Sequence, residues 1–259
     1  MLVLLLLGLC VGLVLGLTGA GGGILAVPAL VFSQGWSVAQ ATPVALLAVT
    51  GSALVGAIEG CLRGLVRYRA ASLMAAAGVL LTPLGVKAAH ALPARSLLVL
   101  FALTMLVVAY RLLQRASAGG NAAAPCHVNP DTGRLVWTPA TFLILSGIGA
   151  FTGFLTGLLG VGGGFVIVPA LRKATDIGMQ GIVATSLLVI TLVGGGGVLV
   201  SLLQGHVPAL HVALPFFIAT AAGMAGGRVL ISRFQPQHIQ RTFAALVIAV
   251  ALGLLTQAL

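Results

Sequence analysis

Two glycine clusters are the residues in this sequence whose type and spacing best suit chemistry. They interrupt long apolar stretches at residues 19–23 and 160–164. Such a break leaves backbone amides outside helical hydrogen bonding, and unpaired polar groups are costly in hydrocarbon. A helix that restarts after the break directs its free N–H groups and the positive end of its dipole at that point. The ligand that such a point favours is an anion.

Hydroxyl side chains that follow each cluster can add hydrogen bonds to the same ligand. Ala41-Thr42-Pro43 matches Ala184-Thr185-Ser186 at an offset of 143, so we interpret the two motifs as equivalent. Helix capping, or bonding to the i−4 carbonyl, is the alternative role for each hydroxyl. The predicted substrate-binding residues are Gly19, Gly21, Gly22, Gly23, Thr42, Gly160, Gly162, Gly163, Gly164, Thr185 and Ser186.

Other chemistries find little support in the sequence. Ile24 and Phe165 follow the glycines where a phosphate-binding loop needs Lys and Ser or Thr, so we expect no nucleotide and no cofactor. The three cysteines lack metal or redox spacing, so we expect no metal. A thiol-dependent intramembrane enzyme with Cys10 or Cys61 as nucleophile is a minor alternative, because Cys10 lies near Gly19 but has no accompanying base. Glu59 is expected to form a local ion pair with Arg63 near the membrane edge.

The glycine clusters belong to a repeated element. Eight glycine and proline positions recur without a mismatch when 141 is added to their numbers, which indicates a duplication. Three of them place a glycine on one helix face at every turn, where another backbone can approach closely. The matching positions are Gly8, Gly12, Gly16, Gly19, Gly21, Gly22, Gly23 and Pro28 with Gly149, Gly153, Gly157, Gly160, Gly162, Gly163, Gly164 and Pro169.

Composition places these elements in a membrane. Of 259 residues, 59% are hydrophobic and only 6% are charged, and the long apolar runs without strand-type alternation predict helices rather than a barrel. The net charge of +10 does not indicate nucleic-acid binding, because the basic residues lie at the ends of apolar runs. We therefore predict an all-α polytopic protein whose surroundings are the lipid bilayer.

The elements fall into two halves joined by a polar linker. Repeat 1 covers residues 1–114, the linker 115–137 and repeat 2 residues 138–259. Thr42 is expected to be the N-cap of the first full helix, with Pro43 at its first position. The predicted elements are a broken element at 2–32 with helices at 41–60, 70–89 and 96–113, then a broken element at 139–172 with helices at 181–203, 210–232 and 237–256.

The distribution of Lys and Arg predicts how the broken elements lie. If each one crosses the membrane, one face carries six basic residues and the other seven. If residues 139–172 form a re-entrant hairpin, the count becomes eleven against two, which is the asymmetry that the positive-inside rule expects. Arg172 and Lys173 then share a face with Arg134. The linker and the Arg-rich ends are expected to be cytoplasmic, in a bacterial inner membrane.

The same interpretation of residues 2–32 gives each half three crossings. An odd number of crossings inverts the second half relative to the first. The fold prediction is therefore two inverted repeats, each consisting of a glycine-broken re-entrant hairpin and three transmembrane helices, with both bends directed toward the midplane as in inverted-repeat transporters.

The doubled motif resembles the TauE/SafE family of sulfite exporters. It comprises Gly16-Leu-Thr-Gly19-Ala-Gly-Gly-Gly23-x4-Pro28 and its copy Gly157-Leu-Leu-Gly160-Val-Gly-Gly-Gly164-x4-Pro169, with hydroxyls after each. The resemblance implies a transporter of small sulfur-containing anions such as sulfite, thiosulfate or organosulfonates, and carries the binding role onto the bend glycines, Thr42, Thr185 and Ser186. Ala20 and Val161 differ between the copies, so we expect an asymmetric site.

A secondary transporter that works by alternating access is the first functional hypothesis. An anion channel with the same site is its strongest rival. Export and uptake, the coupling ion and the oligomeric state all stay open at this point.

Overall fold

The computed structural model describes residues 1–19, 22–115, 126–127, 135–203, 205, 209–230 and 236–258. These residues form helices and no strand; an isolated bridge joins Cys126 to Thr175. The helices are α1 (Leu2–Thr18), α2 (Gly23–Gln34), α3 (Val38–Leu62), α4 (Tyr68–Ala91), α5 (Ala94–Arg115), α6 (Pro139–Leu159), α7 (Gly164–Ala174), α8 (Met179–Leu203), α9 (Leu210–Leu230) and α10 (Pro236–Ala258).

Six of the described helices are long and apolar enough to cross a membrane, namely α3, α4, α5, α6, α8 and α9. The predicted all-helical membrane protein is confirmed at this level. Five of the six coincide with predicted spans. The remaining predicted span, residues 237–256, lies in α10, where Arg241–Thr256 forms a shorter apolar segment.

The second broken element has arms of unequal length. Helix α6 has 21 residues and α7 has 11, which correspond to about 31 Å and 16 Å at 1.5 Å per residue. The predicted element of about 34 residues is too short for two full spans of about 20 residues each and therefore predicts two half-helices, whereas the structure has one full-length and one half-length arm. The difference arises because Gly149, Gly153 and Gly157 stay helical, so the first arm continues to the positive-φ residue Gly160.

Helix α3 begins four residues before its predicted N-cap. Ser37 is the N-cap: its hydroxyl accepts a hydrogen bond from the Gln40 amide, and the Gln40 side chain accepts one from the Ser37 amide. This capping box fixes the start of the helix. Thr42 is therefore not an N-cap; its hydroxyl donates to the Val38 carbonyl at 2.8 Å, and Pro43 lies inside the helix.

The glycine faces of α1 and α6 pack on helices of the opposite repeat. A Cβ added to Gly12 would meet the Thr220 carbonyl of α9, and one added to Gly153 would meet the Gly78 carbonyl of α4. In both pairs the residue numbers rise together, so the packed helices are parallel. The facing residues are Gly8 with Phe216, Gly12 with Thr220, Gly16 with Met224, Gly149 with Met74, Gly153 with Gly78, and Gly157 with Thr82.

Helices α3 and α8, which are equivalent in the two repeats, pack against each other in opposite directions. A Cβ added to Gly197 would meet Leu46, and one added to Gly56 would meet Leu187. Adding 141 to Gly56 gives Gly197, and adding it to Leu46 gives Leu187, so the two contacts are the same contact seen from either repeat. Exchanging the repeats therefore reproduces this contact, as a two-fold axis between α3 and α8 would.

Described residues of the linker join the beginning of α6 to the end of α7. The Cys126 amide donates to the Ala174 carbonyl at 2.9 Å, and the Val136 amide donates to the His127 carbonyl at 2.9 Å. His127 Nδ1 also lies 3.0 Å from Asp176 Oδ2. Helix α6 thus begins beside the end of α7. We call this end of the bundle the linker end and the other the opposite end.

Candidate anion-binding site

The chain reverses direction at each glycine cluster. Gly19 and Gly160 end α1 and α6 in the left-handed conformation, with φ of 72° and 69°, which favours glycine. A Cβ added to Gly22 would lie against Leu15, and one added to Gly163 would lie against Thr152. The residues after each bend therefore return alongside the helix before it.

The two bends meet at the centre of the bundle. A Cβ added to Gly23 would contact the Val161 carbonyl of the other bend and the Val49 side chain. One added to Gly162 would contact Val49 at 3.3 Å and Ile190 at 3.1 Å. Val49 and Ile190 differ by 141 in number, so the bends converge on equivalent residues of α3 and α8. All the described glycines in the bends are buried.

The short helices α2 and α7 both begin at this centre without a side-chain cap. Their N-caps are Gly22 and Gly163. The first amides with a backbone acceptor are those of Leu25 and Val166, each donating to the carbonyl of its own N-cap at 3.0 Å. The two amides that precede each of these have no acceptor in the described part of the chain. They are those of Gly23 and Ile24 in α2, and of Gly164 and Phe165 in α7.

Three of the predicted site residues contribute hydroxyl groups, and two of these lie at the bends. The Thr42 side chain lies against Gly160. The Ser186 hydroxyl lies 2.8 Å from the Val183 carbonyl and 3.2 Å from the Gly19 carbonyl, and can donate to either. The Thr185 hydroxyl accepts a hydrogen bond at 3.1 Å from the amide of Arg67, the N-cap of α4. In this structure Thr185 therefore supports the α3–α4 turn, whereas Ser186 reaches a bend.

The contacts correct the register that we assigned to the hydroxyl motifs. Gly160 packs on Thr42, and its counterpart Gly19 packs on Val183. Thr42 is thus equivalent to Val183 at the offset of 141, and not to Thr185 at 143. The repeated Ala-Thr pair in the sequence suggested the wrong offset. Gly21, another predicted site residue, lies outside the described residues.

Sequence reasoning missed two buried threonines on α6. Thr152 and Thr156 are both fully buried, and a Cβ added to Gly163 would lie 2.9 Å from the Thr156 hydroxyl and in contact with Thr152. At the offset of 141 the first repeat has Val11 and Leu15 in their places. A search for differences between the repeats, rather than for matches, would have found these hydroxyls.

The two ends of the bundle differ in the residues that lie next to the bends. A cavity of about 40 Å³ at the opposite end is lined by polar and apolar residues, including Thr42, Val86, His90, Thr156 and Ser201. At the linker end, Glu59 Oε2 lies 2.7 Å from Arg228 Nε. The predicted local pair of Glu59 with Arg63 is also confirmed, at 2.8 Å. No group of three or more His, Cys, Asp or Glu residues in the described ranges can hold a metal ion.

Comparisons with known proteins point to one kind of protein. A family model described as "Sulfite exporter TauE/SafE" matches residues 4–254. A "Probable membrane transporter protein" of Xylella fastidiosa (strain 9a5c) is 32% identical over 247 residues, which are 93% of this chain and 90% of the relative. The "Probable membrane transporter protein YunE" of Bacillus subtilis (strain 168) is 28% identical over 81% of each chain. No solved structure matches.

Proposed function

The chain belongs to the sulfite exporter TauE/SafE family and is a membrane transporter, and from this premise we propose that it is a secondary transporter of small sulfur-containing anions. The family description names sulfite, and thiosulfate and organosulfonates are the further candidates that the resemblance of the doubled motif implies. In this proposal the anion binds between the two glycine bends and moves in either direction, export or uptake, by alternating access.

The observation that carries the proposal is the convergence of the bends. Gly23 and Val161 bring the starts of α2 and α7 together against Val49. Two helix N-termini whose first amides have no acceptor among the described residues form, at one point, a site for negative charge that needs no buried cation. A sulfonate or sulfite group presents only acceptor oxygens, and these match N–H and O–H donors.

We propose that each broken element is a re-entrant hairpin and that the repeats are inverted in the membrane. The antiparallel contact of α3 with α8 supports the inversion, because parallel repeats would orient these equivalent helices alike. The linker bonds that hold the start of α6 beside the end of α7 support a hairpin that returns to its own side. Unlike the hairpin predicted from the sequence, this one combines a full-length arm with a half-length arm.

The positive-inside rule then makes the linker end cytoplasmic, in a bacterial inner membrane. Counted from the sequence, this topology assigns eleven basic residues to the linker side, against Lys87 and Arg95 on the other side. Alternating access is supported by the unlike ends: a cavity reaches Thr42 and Thr156 from the opposite end, while Glu59 and Arg228 join α3 to α9 at the linker end.

Binding to purified protein tests the substrate class. We expect sulfite, thiosulfate or sulfoacetate to raise the unfolding temperature, since a ligand that binds only the folded state stabilises it by mass action. At 100 times its Kd, the ligand should add about 2.7 kcal/mol. Chloride and sodium acetate at equal ionic strength are the controls. Equal shifts for every anion would contradict a sulfur-anion site.

Flux into proteoliposomes distinguishes a carrier from a channel. We expect uptake to saturate with substrate concentration and to accelerate when the vesicles are preloaded with the same anion. Flux that is linear in concentration and indifferent to preloading would instead indicate a channel. A thiol-dependent mechanism finds no support at Cys10, because this residue is exposed on α1 away from the bend.

A further inference from the structure

One buried hydroxyl beside the bends has no hydrogen-bond partner. Thr152, in the middle of α6, is 0% exposed, and its Oγ1 contacts no donor or acceptor. Most threonines in membrane helices satisfy the hydroxyl by donating to the i−4 carbonyl. Thr156, one turn later, does so with the Thr152 carbonyl at 2.8 Å. Thr152 differs from this pattern, and leaving a buried polar group unpaired costs free energy.

The Thr152 side chain lies at the beginning of α7. Its methyl carbon Cγ2 is the atom nearest to a Cβ added on Gly163, the N-cap of that helix, and Oγ1 is bonded to the same β-carbon. The amides of Gly164 and Phe165 follow directly and have no acceptor among the described residues. Helix α7 has 11 residues and so supplies an effective dipole. A free hydroxyl and two free amides are thus grouped at one buried helix terminus.

The first repeat lacks this arrangement. Val11 stands where the second repeat has Thr152, and Leu15 stands where it has Thr156. The N-cap Gly22 of α2 packs on these apolar residues. The start of α2 therefore offers amides alone, whereas the start of α7 offers amides and a hydroxyl.

We propose that the anion is held chiefly by the second bend, with Thr152 Oγ1 and the amides of Gly164 and Phe165 as its three donors. This inference rests on the proposed function and makes its site asymmetric. Three donors match the three oxygens of a sulfite or sulfonate group. Thr156 is a positioning residue: its hydroxyl proton goes to the Thr152 carbonyl and fixes the turn that carries Thr152.

Replacement of Thr152 by Val, the residue of the first repeat, tests the inference. Val keeps the shape and removes the donor. Because the hydroxyl is unpaired without ligand, we expect the unfolding temperature of the ligand-free T152V protein to stay the same or rise. Affinity for sulfoacetate, measured by thermal shift and by saturation of transport, should fall about 10- to 100-fold, the loss typical of a hydrogen bond to a charged group. Thr152→Ser should keep affinity within a few fold.

Thr220→Val is the matched control. Thr220 is equally buried, donates to the Phe216 carbonyl and lies on the α1–α9 contact, away from α7. We expect it to lower the unfolding temperature and leave affinity unchanged. A T152V protein that binds sulfoacetate as the wild type does, or loses no more affinity than T220V, would overturn the inference and leave the proposed function standing.

The anion panel separates the two proposals further. If the wild-type protein binds phosphate or carbonate instead of the sulfur anions, and T152V loses that binding, the asymmetric site is supported and the proposed substrate class is wrong. If the wild-type protein binds none of the sulfur anions, phosphate or carbonate, both proposals fail.

Discussion

The linker end and the opposite end of the bundle place unlike side chains at equivalent positions. At the linker end, Glu59 and Arg228 form an ion pair between α3 of the first repeat and α9 of the second. Their equivalents at the opposite end are Val200, at the offset of 141, and Val86, at the offset of 142 by which the contact of Gly12 with Thr220 matches that of Gly153 with Gly78. Val86 lines the cavity there. The packing of the duplicated backbone is common to both ends, so in the proposed mechanism these side chains decide which end is closed.

In the proposed alternating access, the difference between the two ends indicates how a scaffold of inverted repeats holds one of two states. An inverted repeat allows the same packing with either end open, and a small free-energy difference selects between them. An ion pair at one end and a hydroxyl-lined cavity at the other supply such a difference. This comparison of the two ends rests on three features: the backbone packing that both ends have in common, the bends that meet between the ends, and the ion pair at the linker end.

The shared backbone should be the most sensitive to substitution. Gly153→Ala places a Cβ against the Gly78 carbonyl, and Gly12→Ala places one against the Thr220 carbonyl. Because backbone cannot move aside as a side chain does, we expect each to cost about 3 kcal/mol or more, at the upper end of overpacking effects. Thermal unfolding of purified protein measures both.

Gly147→Ala is the control on α6, because nothing lies within 4 Å of its added Cβ. It should leave stability unchanged or raise it slightly, as Ala favours helix. A large loss in only one of the two glycine faces would show that the repeats do not share their packing.

Substitution at the bends should have an intermediate effect. Gly160→Ala combines a positive φ with a contact against Thr42, so we expect a loss of about 2 kcal/mol or more from strain and crowding together. Gly35→Ala carries a similar φ of 67° with open space around its added Cβ, so it should lose only about 1 kcal/mol. If both variants unfold at the same temperature, contact with Thr42 does not constrain the second bend.

The ion pair should have the smallest effect on stability and a clear effect on access. Glu59 is one-third exposed, so after allowance for solvent screening we expect Glu59→Gln to cost about 1 kcal/mol. Loss of the pair should open the linker end more often. In a variant whose three native cysteines are Ser, a Cys at Val183 should then react several-fold faster with a membrane-impermeant maleimide applied to the linker side.

In the same background, the maleimide reaction of Thr42→Cys measures access from the opposite end, because Thr42 and Val183 are equivalent positions in the two repeats. Glu59→Gln should leave its reaction unchanged or slow it. Arg63→Gln is the charge control, since the Arg63 side chain is 67% exposed and contributes little. If the maleimide reaction accelerates equally at both positions, the substitution loosens the whole bundle. The ion pair would then not explain the difference between the two ends.

Much of this fold could be predicted from patterns along the chain. The apolar composition predicted membrane helices, and the glycine spacing predicted the close helix faces that Gly12 and Gly153 form. Charge counting predicted the re-entrant hairpin at residues 139–172, and the repeat extended it to residues 2–32 and led to the inversion; all three stay predictions. The prediction failed at the start of α3, because Thr42-Pro43 is as good a start signal as the Ser37–Gln40 capping box that the chain uses.

The site was only partly predictable, because its chemistry depends on long-range contacts. Arg228 reaches Glu59 from 169 residues away, and no local spacing indicates this pair. Thr152 and Thr156 lie next to a helix N-terminus only because the chain folds back and places Gly163 against them. The bend glycines were found because they repeat, whereas the threonines were missed because they do not.

The first helix of each broken element packs on a helix of the other repeat, and this arrangement has a consequence for biosynthesis. Helix α1 leaves the ribosome well before α9, because α9 lies about 200 residues later in the chain, yet the glycine face of α1 packs on α9. At 5–20 residues per second, that face waits about 10–40 s for its partner. The nascent first half therefore needs the insertion machinery or lipid to shield α1. Two separately expressed halves should be unstable alone and should assemble only together.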